Sequence, residues 1–161
     1  RKRRAAPSLL DPLGGRTTYV VGLGALIGAT TQGLAMLKGS CLCGSVRFEL
    51  AENAEAPTAC HCVQCRKQSG HYFASANVSK AAVTTFGAEN LTWFHSSAKV
   101  RRGFCSKCGS WLFWEPVARD WTSIAMGAFD GSTGLQLQRH IFVAEKGDYY
   151  NINDGLPQHE H

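Results

Sequence analysis

Several familiar designs are closed to this chain by what it lacks. No segment repeats apolar residues at a sustained helical period, which removes an all-helical fold. The apolar stretch from Tyr19 to Ala29 is far short of the roughly 20 residues that a membrane-spanning helix needs, so no membrane partner is expected. An excess of positive charge is also missing where it would matter. Of 17 basic and 12 acidic side chains, Arg1, Lys2, Arg3, Arg4, Arg16 and Asp11 lie before Met36, leaving 12 against 11 in the body. A body so close to neutrality offers no footprint for a phosphate backbone, and nucleic acid is not an expected partner.

Residues 1–35 contain no cysteine and differ in composition from the rest. Their basic opening, short apolar stretch and small residues near Ala35 match the layout of a secretory signal. The alternative is an upstream extension or added leader, and it is preferred because the cysteine motifs begin directly after Met36. The domain is therefore expected over 36–161. With 44% hydrophobic residues, the chain suits one domain with an ordinary core.

What the body does contain is strand-like alternation. Val46, Phe48 and Leu50 share one face and Arg47 and Glu49 the other, the period of a half-buried strand. Similar runs cover Tyr72–Val78, Val83–Phe86, Leu91–His95, Lys99–Phe104, Trp111–Glu115, Trp121–Ala125 and His140–Val143. Breakers such as Gly87, Gly109, Gly127 and Asp130-Gly131 lie between them. The expected class is all-β, built of short antiparallel strands. Trp111, Phe113 and Trp114 are assigned to the core and sheet surface.

The seven cysteines carry the chemistry. An odd number cannot be used up by disulfides, and they fall into tight groups: Cys41 with Cys43, Cys60 with Cys62 and Cys65, and Cys105 with Cys108. Such spacing suits metal ligation in a reducing compartment, hence a cytoplasmic location. Two pairs sit at strand edges next to Gly44 and Gly109, the arrangement of zinc knuckles, while the triplet is expected in a loop of its own. Structural zinc is closed by four ligands and catalytic zinc keeps one position open. Seven thiolates divide without remainder into a quartet, Cys41, Cys43, Cys105 and Cys108, and a triplet, Cys60, Cys62 and Cys65. Two zinc ions per chain are expected. The triplet would then carry a net charge of −1 against −2 for the quartet, and an incoming thiol would lose its proton there. Other readings stay open: His61 or His71 as a fourth ligand closing the triplet, an iron–sulfur cluster, and for His61 a proton-carrying role, a solvent-facing one, or a supporting one behind the ligands.

Taken together, Gly39-Ser-Cys41-Leu-Cys43-Gly44, Cys60-His-Cys62-Val-Gln-Cys65-Arg66 and Phe104-Cys105-Ser-Lys-Cys108-Gly109 resemble the glutathione-dependent formaldehyde-activating family, which includes centromere protein V. The resemblance runs from Met36 to about Pro157 and takes in His140-Ile-Phe-Val and Gly147-Asp-Tyr-Tyr. It implies a β-tent fold, a structural zinc on the quartet, a catalytic zinc on the triplet, and a carbon–sulfur lyase that joins formaldehyde and glutathione into S-hydroxymethylglutathione or catalyses a related reaction. Glutathione, or another small thiol, is the implied partner. Arg66, Lys67, Arg101 and Arg102 are candidates for its carboxylates. Two competing functions are a non-catalytic zinc module for a macromolecular partner and a thiol redox or metal-buffering protein.

Overall fold

The computed structural model describes residues 36–161. The leader expected over 1–35 lies outside the described residues. Ten strands and one short α-helix follow in order: β1 (Lys38–Ser40), β2 (Arg47–Leu50), β3 (Thr58–Cys60), α1 (Val63–Ser69), β4 (Phe73–Ser79), β5 (Val83–Phe86), β6 (Leu91–Ser97), β7 (Val100–Cys105), β8 (Trp111–Pro116), β9 (Trp121–Ala125) and β10 (Arg139–Ile141). The expected all-β class is what the chain forms. No helix among the described residues is long and apolar enough to cross a membrane.

The strands make two sheets. β1, β2 and β5 form a small antiparallel sheet, and the remaining seven run in the order β10-β3-β4-β9-β8-β7-β6. In β2 the alternation behaves as the pattern requires: Phe48 and Leu50 are buried, and Glu49 faces outward to pair with Lys38 at 2.9 Å. Phe48 stands opposite Gly39 in the register, and a Cβ on Gly39 would lie 2.1 Å from the Phe48 ring. Glycine is required there because the ring occupies the space of any side chain. Phe48 then meets Phe113 of the large sheet edge-on at 5.7 Å, and Phe129 at 5.4 Å, so one aromatic joins both sheets in a single core with Leu50, Leu112 and Ile124. The central strands β8 and β9 bury consecutive residues such as Leu112 and Phe113, the mark of a sheet covered on both faces.

Three features depart from the sequence reading. Strands β1 and β3 have three residues each, too few for alternation to register. The triplet does not sit in a loop: Cys60 ends β3, Cys62 caps α1 and Cys65 lies within it. A helix of seven residues spans less than two turns, so it presents no readable period. The sheet is also not wholly antiparallel, since β10 pairs with β3 in parallel, Arg139 against Thr58 and Ile141 against Cys60.

Candidate metal centres and cleft

The tertiary structure assembles the cysteines into two groups and places them apart in the molecule. Cys41, Cys43, Cys105 and Cys108 bring four sulfurs within 4.8 Å of one another, and Cys60, Cys62 and Cys65 do the same with three. All seven are free thiols.

The quartet is built by two tight turns. Between β1 and β2 the chain closes with Gly44 N–H donating to the Cys41 carbonyl (2.9 Å), and between β7 and β8 with Gly109 N–H donating to Cys105 (2.8 Å). Both glycines have positive φ, 71° and 76°, which a side chain would resist. Ser110 ties the turns together: its hydroxyl accepts from Leu42 N–H at 3.0 Å and lies 3.3 Å from Cys108 Sγ. Neighbouring sulfurs are 3.6 Å (Cys41–Cys43) and 3.8 Å (Cys43–Cys105) apart. A zinc–sulfur bond of about 2.3 Å in a tetrahedron sets sulfurs about 3.8 Å apart, a spacing that these two pairs already have, so the donor set suits a zinc ion.

The triplet borrows its geometry from α1. Cys62 adopts extended backbone at the N-cap and its sulfur accepts from Cys65 N–H at 3.5 Å. Glu145 reaches over from the C-terminal region and accepts from Val63 N–H at 2.8 Å, which anchors the first turn of the helix. No histidine or carboxylate joins the triplet among the described residues. His71 packs instead against Tyr150, with ring centroids 4.1 Å apart. The protonation pattern of the three sulfurs fits a cation. Hydrogen bonds from the thiols of Cys60 and Cys65 hold Cys62 down to about 2, while the same sharing of protons pushes Cys60 up to about 11 and raises Cys65. Three sulfurs so close tolerate one negative charge among them unless a divalent ion neutralises the rest.

His61, between two of these cysteines, is 0% exposed and points away from them. Its Nδ1 meets the Tyr150 hydroxyl, its Nε2 lies 2.8 Å from His140 Nδ1, and His140 Nε2 lies 2.8 Å from Asp154 Oδ2. Burial holds the His61 ring down to about 4, so it is neutral near pH 7. The solvent-facing reading of His61 is thereby overturned, as is its reading as a fourth ligand.

A cleft of about 920 Å³ opens beside the triplet, lined by all three of its cysteines and by none of the quartet. Its walls include Phe73, Trp114, Trp121 and Ile141, with Arg102 and Arg139 as its cations. Trp114 and Trp121 stack at 5.6 Å, so Trp114 faces the cleft as well as belonging to the sheet surface. Of the four basic candidates, Arg102 alone lines the cleft. Arg101, on the other face of β7, pairs with Glu115 and lies 4.1 Å above the Trp93 ring. Lys67 is exposed on α1, and Arg66 is half-buried outside the cleft. Arg139 and the Tyr150–His61–His140–Asp154 chain escaped the sequence reading. The one local hint was a histidine at the start of the β10 run.

Comparison with known proteins gives the chain its relatives. The family model described as glutathione-dependent formaldehyde-activating enzyme matches residues 36–145. A Halomonas elongata protein provisionally named a glutathione-dependent formaldehyde-activating enzyme is 30% identical over 131 residues, covering 73% of this chain and 81% of that protein. An uncharacterised lyase of Schizosaccharomyces pombe is 25% identical over 117 residues, covering 71% and 84%. A crystal structure of a Rhodobacter sphaeroides protein is similar with a TM-score of 0.51 at 24% identity, covering 59% of this chain and 89% of that one, a likeness of fold alone.

Proposed function

Because this chain belongs to the glutathione-dependent formaldehyde-activating family, we propose that it is a zinc-dependent carbon–sulfur lyase or synthase acting on a glutathione-type thiol adduct. The observation that carries the proposal is the contrast between the two cysteine groups: four sulfurs close one set away from the cleft, and three leave a side open within it. Cys41, Cys43, Cys105 and Cys108 are assigned to a structural zinc, and Cys60, Cys62 and Cys65 to a catalytic one. The working domain is placed at 36–161.

A zinc ion on the triplet would supply Lewis acidity that favours the thiolate form of a substrate thiol. The chain's own residues do the rest. Cys60, Cys62 and Cys65 are the residues that would hold that ion, and because all three line the cleft the reacting sulfur would be placed within it. Trp114 and Trp121 form an apolar wall against which the body of the adduct lies, which limits water near the reacting carbon. Arg139 is exposed at the rim and offers its guanidinium to a substrate carboxylate. Holding thiol and carbonyl carbon together in one cleft supplies the proximity on which addition or its reversal depends. The proton that the thiol gives up returns, through solvent at the open side, to the oxygen of the adduct, so the addition and its reversal consume and release no net proton.

The test is zinc content per chain, with calorimetric titration of glutathione, for wild type and Cys62→Ser. Two zincs falling to one, with the fold kept and glutathione binding lost, is the expected result. An intact protein that holds two zincs and binds no thiol would overturn the lyase assignment in favour of a non-catalytic zinc module.

A further inference from the structure

Arg102 is a buried cation without an acidic partner. It is 4% exposed, and no carboxylate lies within ion-pairing distance of it among the described residues. Its neighbour Arg101 shows the ordinary solution, a half-exposed guanidinium on Glu115. The contacts of Arg102 are of another kind. Nη2 donates to Gln64 Oε1 at 2.6 Å, Nη1 donates to Gln68 Oε1 at 3.4 Å, and Nη1 reaches Cys65 Sγ at 4.0 Å. The guanidinium lies 5.3 Å from the Trp111 ring centroid. Gln64 and Gln68 are one helical turn apart and flank Cys65, so this face of α1 presents two neutral amide oxygens and one sulfur to the charge. A desolvated cation needs a compensating anion nearby. The anion available here is the thiolate group of the triplet.

We propose that Arg102 is the counter-ion of the three-thiolate centre, a positioning residue that donates to Cys65 and offsets the charge added when a fourth, anionic sulfur arrives. The inference rests on the reading of the triplet as a zinc site with an open place. Three thiolates around a divalent ion sum to −1, which one guanidinium balances. A substrate thiolate takes the sum to −2, and that second charge is the one a fixed cation stabilises most. The amide oxygens of Gln64 and Gln68 hold the guanidinium in place without neutralising it. Strand β7 adds a mechanical link, because it carries Arg102 to the triplet and, three residues on, Cys105 to the quartet.

The probe is the cobalt-substituted protein titrated with 2-mercaptoethanol, a thiol without carboxylates, with binding read from the sulfur-to-cobalt charge-transfer and ligand-field bands. The quartet's cobalt spectrum, unchanged by the thiol, reports that each variant is folded. Arg102→Gln is expected to weaken 2-mercaptoethanol binding by roughly tenfold, the lower end of what outer partners of metal ligands contribute, and Arg102→Lys to recover part of it. If Arg102→Gln binds 2-mercaptoethanol as wild type does but loses glutathione, Arg102 is a substrate carboxylate contact and the counter-ion role is wrong. Unchanged binding of both thiols also overturns it. Failure of the underlying reading looks different: the wild type itself would take up one cobalt, or show no spectral response to any thiol.

Discussion

His61 Nε2 lies 2.8 Å from His140 Nδ1, and this contact ties the ligand segment of the triplet to a strand 79 residues away. The Asp154 carboxylate accepts from His140 Nε2–H, His140 Nδ1 and His61 Nε2 share one proton between them, and His61 Nδ1 meets the Tyr150 hydroxyl. Burial pushes the Tyr150 phenol up, which keeps its proton in place. Tyr150 and Asp154 lie beyond the residues that the family model matches, so this support for Cys60 and Cys62 comes from the chain's C-terminal segment.

His140→Ala leaves His61 without a partner for one buried ring nitrogen, a loss of about 1–3 kcal/mol. Urea unfolding is expected to show that loss, and metal analysis to show weaker retention at the triplet than at the quartet. Equal loss from both sites would make the contact a matter of general stability and not of ligand positioning.

Chelation should remove metal in two stages. The triplet offers three thiols beside a cleft, whereas the quartet joins turns whose cysteines are 62 residues apart in sequence and buries Cys105 completely. The first zinc equivalent is expected to leave with the β-sheet circular dichroism intact, and the second with cooperative unfolding, since metal binding of that kind is folding free energy. Cys105→Ser should therefore unfold the protein where Cys62→Ser does not. Loss of the sheet signal with the first equivalent would reverse the assignment.

Gly39→Ala is a test of the core independent of metal. The added Cβ would stand 2.1 Å from the Phe48 ring and 2.3 Å from the Ala128 carbonyl oxygen, one contact being backbone. Destabilisation of about 1–3 kcal/mol or more is expected, read as a lower urea midpoint. An unchanged midpoint would mean that β1 is free to move away from Phe48.

Arg139→Ser bears on the substrate. If the rim guanidinium holds a carboxylate, KM for glutathione rises about three- to fivefold, the scale of an exposed ion pair, while kcat is unchanged and a carboxylate-free thiol is unaffected. Lys67→Ser, outside the cleft, should change neither parameter. A drop in kcat for both thiols would place Arg139 in the chemistry instead of in binding.

The class of fold and the division of the cysteines were legible without coordinates because each is written locally. Phe48 and Leu50 alternate with Arg47 and Glu49 over a single strand, and the knuckles at Cys41 and Cys105 announce themselves by spacing and a following glycine. Thus the sequence by itself determined an all-β body with two groups of thiols spaced to hold metal. It could not decide what stands across from them. Arg102 sits in a dipeptide with Arg101, and nothing in those two letters tells which side of β7 finds Glu115 and which is buried against α1. Likewise His61 meets His140 because β10 lies parallel to β3, a pairing between segments some 80 residues apart, and Tyr150 and Asp154 complete the hydrogen-bonded chain from the C-terminal segment. The cleft, its two arginines and the support behind the triplet are consequences of burial and of long-range strand order, which local periodicity does not encode.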